Sequence, residues 1–137
     1  MPRPPRFLKP RSLPGDRPEN PTALLVESED PLRALFRRIL ELAGYRVLEA
    51  RDTGDAISML SRSPGSVELV FAELTGPGVL GRGGLRERIP RGVKLLLTVR
   101  GESDDPARVL EDGTTFVVTN PLRGDALGSK LRELRSK

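Results

Sequence analysis

Apolar and polar positions alternate in blocks along this chain. Ala23–Val26 is a short, continuous apolar run of the kind that a strand buried on both faces shows, and the runs Tyr45–Ala50, Val67–Ala72, Val93–Thr98 and Thr115–Thr119 repeat it. Between the first two runs, Leu32, Leu35, Phe36, Ile39 and Ala43 recur at helical spacing, and Gly44 stops that helix. Thr53 is placed to cap a short helix carrying Ala56, Ile57 and Leu60. Asp105 and Pro106 form an N-cap and N1 pair for a helix through Leu110, and Leu127, Leu131 and Leu134 share one side of a closing helix. Gly76, Gly78, Gly81, Gly83 and Gly84 crowd the stretch after the third run, so a mobile loop with a weakened third helix is expected there.

Five strands separated by helical or loop crossovers predict an α/β fold, a doubly wound parallel sheet flanked by helices. In such sheets the functional crevice lies beyond the carboxyl ends of the strands, near the point where strand order reverses. Glu27–Asp30, Glu73, Thr98 and Asn120 all fall at or just past predicted strand ends. The pattern therefore sends an acidic cluster, a single carboxylate, a hydroxyl and an amide toward one end of the sheet.

The first 21 residues stand apart from this alternation. They hold seven of the 13 prolines and the cations Arg3, Arg6, Lys9, Arg11 and Arg17 against Asp16 and Glu19. Proline at that density cannot sustain helix or ladder hydrogen bonds, so residues 1–21 read as a disordered or polyproline-like Pro/Arg-rich tail or linker, with one domain over 22–137. Most of the chain's net charge of +4 belongs to that arm. A basic arm touching nucleic acid or an anionic membrane is the sharper alternative to a plain linker. Phe7 is its one aromatic residue available for base stacking, and nucleic acid is not the expected partner.

Composition removes whole classes of chemistry. With no histidine there is no imidazole base, no Ser-His-Asp triad and no phosphohistidine; with no cysteine there is no disulfide, thiolate metal site or thiol nucleophile. No apolar run approaches the length of about 20 residues that crosses a bilayer, and the N-terminus has no apolar core of a secretory signal. A cytoplasmic, non-enzymatic protein with no membrane insertion is the expectation. Gly76-Pro77-Gly78-Val79-Leu80-Gly81 satisfies G-x-G-x-x-G, but it follows the third strand, Pro77 lacks an N–H, and no acidic residue ends a strand about 20 positions later, so nucleotide binding is discounted.

The stretch Val67 to Gly81, an apolar run ending in Glu73 and passing into a Pro-Gly turn, together with the acidic cluster after Val26, resembles the phosphorylation site of a response-regulator receiver domain. The resemblance covers about Thr22 to Arg135 and implies the flavodoxin-like receiver fold. In that family an acidic pair after the first strand holds Mg²⁺, an Asp ending the third strand accepts a phosphoryl group, a Ser or Thr ends the fourth, and Lys-Pro follows the fifth. Here Glu27 keeps the first carboxylate and Ser28 stands in the second place, with Glu29 and Asp30 as neighbours that could compensate. Glu73 stands at the phosphoacceptor position, Thr98 at the switch hydroxyl (Val99 after a one-residue slip), Val117 at the switch aromatic, and Asn120 in place of lysine.

Three of four phosphorylation groups are thus altered, which argues against efficient phosphoryl transfer. The resemblance then implies a pseudo-receiver: a two-component or phosphorelay signalling module acting by protein–protein interaction, without a cofactor beyond weak Mg²⁺ at Glu27 and Glu73. Three readings of Glu73 stay open: a non-phosphorylated residue, a constitutive phosphate mimic, or a residual phosphorylation or metal site. The Glu27–Asp30 cluster also has a plainer reading as a solvated helix start favoured by the helix dipole. Gly44–Ala50 and Phe116–Pro121 resemble receivers fused to hybrid sensor kinases. The implied partners are a histidine kinase or output domain, or a second copy through the face built from the family's fourth helix, fifth strand and fifth helix. Lys130, Arg132, Arg135 and Lys137 would lie on the polar side of the last helix, by default a solvated face.

Overall fold

The computed structural model describes residues 20–63, 65–74, 77–99 and 113–135. In chain order the elements are β1 (Thr22–Val26), α1 (Asp30–Leu42), β2 (Arg46–Ala50), α2 (Thr53–Arg62), β3 (Leu69–Glu73), α3 (Pro77–Leu80), α4 (Leu85–Arg88), β4 (Lys94–Val99), β5 (Thr115–Thr119) and a last helix, here α5 (Ala126–Arg135). The N-terminal arm over 1–19, the helix expected over 105–110 and Lys137 lie outside the described residues.

All four strand pairings are parallel and the order is β2-β1-β3-β4-β5. Order reverses between β1 and β3, so the crevice of a doubly wound sheet falls over Val26 and Ala72, which are paired in register. Side-chain alternation splits the core in two. Leu25, Phe71, Leu96 and Val118 face α1 and α5, where the Phe36 and Phe71 rings sit 4.9 Å apart; Leu24, Val70, Leu97 and Val117 face Ala56, Leu60, Val79 and Leu85.

α1 follows its pattern with one correction. Phe36 and Leu40 are buried, while Leu35, placed on the core side by spacing, is 43% exposed. The helix ends as its glycine predicts. Gly44 adopts φ 96°, its N–H donates to the Glu41 carbonyl at 2.9 Å, and the Tyr45 N–H donates to the Leu40 carbonyl at 3.0 Å. This is the Schellman geometry, which satisfies carbonyls that the helix end leaves without a partner. The end is held a second time from α5. Arg135 donates from one guanidinium nitrogen to the carbonyls of Ala43 and Gly44 at 3.2 and 3.0 Å and lies 5.7 Å from the centre of the Tyr45 ring. Arg135 is therefore a tertiary cap, where the sequence suggested a solvated charge. Lys130, 5.7 Å from the Phe116 ring centre, is likewise half-buried and engaged.

α2 begins one residue earlier than expected. Asp52 is the N-cap, its Oδ1 accepting from the Asp55 N–H at 2.7 Å, and Thr53 is the first helical residue. The glycine-rich stretch after β3 holds two one-turn helices, α3 and α4, with Gly83 between them at φ 73°.

Candidate functional site

Glu27 follows β1 directly and is only 6% exposed. Its backbone N–H donates to the Ala50 carbonyl at 3.0 Å, which extends the β1–β2 ladder, and its Oε2 accepts from the Glu29 N–H at 2.9 Å. The carboxylate thus organises the turn into α1, where Pro31 follows Asp30 in the first turn. Arg33 fastens the same turn from the helix side: one nitrogen reaches the Glu27 carbonyl at 3.1 Å, and Nε donates to Glu49 on β2 at 2.8 Å. Arg37 joins Glu49 to the buried Glu41, so a chain of charges runs down the seam between α1 and β2. Burial alone would raise the Glu49 carboxyl, but the hydrogen bonds from Arg37 and Arg33 outweigh it and hold the group below its ordinary value.

Glu73 ends β3 and is half-buried. It lines a cavity of about 240 Å³ at the β1/β3 reversal together with Glu27, Ser28, Arg51, Thr53 and Gly78, among others. Glu29 and Asp30 are exposed and do not line it, and Asp30 is instead paired with Arg33.

Thr98 is opposite Glu73 in the β3–β4 register, and Val99 faces the other core, against α2. Yet Thr98 and Asn120 do not line the Glu73 cavity. They line a second one of about 300 Å³ with Leu32, Phe36, Pro121, Leu122 and Arg123. Asn120 follows β5 in the left-handed region at φ 47°, a conformation asparagine adopts more readily than most residues. Val117 is buried in the core on the α2 side and lines neither cavity.

The family's metal makes a definite demand on the first cavity. Mg²⁺ takes near-octahedral oxygen donors, usually several waters with one or two carboxylates. Three carboxylate residues line the crevice, Glu27, Asp52 and Glu73; the first two each accept a backbone N–H, and Arg51 lies in the same lining. Among the described residues no group of three or more Asp, Glu, His or Cys side chains could hold a metal ion.

Sequence spacing missed Arg51 and Thr53, which lie just past the end of β2, and Arg123 after β5. The signal was present: each follows a strand end at the same edge of the sheet as the residues that were singled out.

No family model matches the chain. The chain is 31% identical over 117 residues to the phosphate regulon transcriptional regulatory protein PhoB of Pseudomonas aeruginosa, an alignment covering 81% of this chain and 50% of PhoB. It spans about half the length of the curated relatives it matches. Among solved structures, a response-regulator receiver domain protein from Clostridium thermocellum superposes with a TM-score of 0.69 at 18% identity, covering 85% of this chain and 94% of that one. The receiver domain of the hybrid histidine kinase CckA gives 0.61 at 22% identity, covering 82% and 96%. The fold is that of a response-regulator receiver, the kind of domain that two-component signalling uses. PhoB and other response regulators are homologues of this chain, and the likeness is not confined to receivers of hybrid kinases. No helix among the described residues is long and apolar enough to cross a membrane.

Proposed function

We propose that this chain is an atypical receiver, a pseudo-receiver, that works in two-component or phosphorelay signalling by docking to a protein partner independently of phosphorylation. The observation that carries the reading is the separation of Glu73 from Asn120. Receiver chemistry needs a cation against the phosphoryl oxygens as charge develops. In this chain the residue after β5 is a neutral amide that lines a different cavity, the second acidic ligand is Ser28, and the acceptor is glutamate. An acyl phosphate on Glu73 would therefore meet neither the usual lysine nor the usual acidic pair.

The partners of this reading are a histidine kinase or an output domain in the cytoplasm, and the module itself is not an enzyme. Residues 1–21 serve it as a linker. A homodimer would use the family's fourth-helix, fifth-strand and fifth-helix face, of which β5 and α5 belong to the described residues. The competing reading, a working site using Mg²⁺ and Glu73, draws on the one cavity that Glu27 and Glu73 share.

An amide NMR titration with Mg²⁺ and then beryllofluoride separates the two. The wild type is expected to stay silent while the Ser28→Asp/Glu73→Asp/Asn120→Lys variant responds. Wild-type shifts around Glu27, Glu73 and Thr98 would sink the proposal.

A further inference from the structure

The cavity beside Asn120 has a composition that the docking reading does not use. Leu32, Phe36, Pro121 and Leu122 give it apolar walls, Thr98 and Asn120 add a hydroxyl and an amide, and Arg123 is its one charged lining residue. At about 300 Å³ it reaches the lower end of small-molecule sites, which are mostly apolar with a few placed polar groups. Leu122 is 50% exposed, so an occupant would cover apolar surface that now faces water.

The charge at this cavity is uncommitted. The Arg123 backbone N–H donates to the Asn120 carbonyl at 3.0 Å, but among the described residues its guanidinium makes no ion pair or hydrogen bond. The neighbouring arginines are engaged: Arg33 and Arg37 share Glu49, and Arg132 holds Asp125 at 2.7 Å. No acidic residue lines the cavity. One guanidinium presents a planar fork that matches one carboxylate in a bidentate pair. A dianionic phosphate would leave its second charge beside apolar walls without a partner.

We propose that this cavity binds a small apolar carboxylate, its hydrocarbon or aromatic body between Leu32, Phe36 and Leu122 and its carboxylate on Arg123. Occupancy would be felt at the Glu73 site through one main-chain bond, since the Leu74 N–H donates to the Thr98 carbonyl at 2.9 Å. The proposal goes beyond the docking reading and does not depend on it.

The test titrates the full ¹⁵N-labelled chain with 2-naphthoate and, separately, with its uncharged isostere 2-naphthamide at low salt. Saturable shifts are expected at the amides of Leu32, Phe36, Thr98, Leu122 and Arg123, with Leu74 following. Naphthoate should bind at least ~10-fold tighter than naphthamide, a difference of about 1.4 kcal/mol. Arg123→Gln, an exposed substitution, should erase that preference while leaving the rest of the spectrum in place. Absence of saturation, shifts that map elsewhere, equal affinity for the two compounds, or a preference that survives Arg123→Gln would each overturn it. None of these outcomes touches the beryllofluoride result, so the two proposals fail separately.

Discussion

Glu73 and Thr98 are direct partners in the parallel ladder between β3 and β4, yet the two residues line different cavities. Placing them side by side in a one-dimensional match to receiver motifs suggests a single pocket. The fold instead gives the carboxylates Glu27 and Glu73 one compartment at the β1/β3 reversal, and the hydroxyl and amide another beneath α1.

The left-handed backbone at Asn120 is testable by substitution. At φ 47° a β-carbon is tolerated poorly except in asparagine and aspartate, and glycine carries no such cost. Asn120→Ala is expected to be about 1 kcal/mol less stable than Asn120→Gly by urea unfolding. Equal midpoints would show that the turn relaxes. A lysine at 120 meets the same strain, so the triple variant should also unfold at lower urea than the wild type.

Tyr45 reports on the α1–α5 contact by itself, because the chain has one tyrosine and no tryptophan. Burial pushes its hydroxyl up to about 12, with Arg135 pulling the other way and Glu68 adding to the rise. Absorbance at 295 nm should show no ionisation until pH is far above the ordinary value of 10.0. A phenol whose folded pKa is raised stabilises the fold below its unfolded pKa and loses that contribution as pH climbs through the folded one. Stability should therefore fall between pH 10 and 12 in step with the Tyr45 titration. Arg135→Ala is expected to move the titration higher still and to cost about 1 kcal/mol through the lost carbonyl bonds. A downward shift would contradict the geometry.

Glu49 sets the acid side. Its carboxyl is held below the ordinary 4.5 by Arg37 and Arg33, which outweigh the opposing effect of burial. A group with a depressed folded pKa contributes stability above its unfolded pKa and loses it as pH falls through the folded value. Urea midpoints should thus decline below about pH 4.5, and Glu49→Gln should start lower at neutral pH and decline less steeply. Parallel curves for the two proteins would remove Glu49 from the account.

Two glycines give opposite expectations. A β-carbon at Gly84 would lie 2.8 Å from the Gly81 carbonyl oxygen and 2.9 Å from that of Gly78, both main chain and unable to swing aside. Gly84→Ala is expected to cost about 1–3 kcal/mol, as overpacking does. Gly65 has nothing within 4 Å of the added carbon, so Gly65→Ala should be neutral or slightly stabilising. Thermal melts of the two variants, compared side by side, decide it.

Strand number, order class and the ends that carry chemistry were legible because five apolar runs stand clear of helical patterns. Boundaries were less so. Val67, assigned to the third strand by its apolar run, is buried in the turn ahead of Leu69 beside Leu60, and burial alone does not distinguish a strand from a tucked loop. At the start of α2, Asp52 and Thr53 are both good caps, and the Asp52 bond to the Asp55 N–H decides between them. The tertiary roles of Arg33, Arg37 and Arg135 were hidden because a surface cation looks the same in sequence whether it faces water or a carbonyl 91 residues away. The division of the site into two cavities depends on where the β5–α5 turn sends Asn120, and the asparagine itself, a frequent left-handed residue, was the local hint.

The bond from the Leu74 N–H to the Thr98 carbonyl makes the two compartments neighbours across a single peptide unit. A molecule entering beneath α1 would press on the same length of main chain that carries Glu73. The two compartments thus share one stretch of main chain, with no side chain having to cross between them.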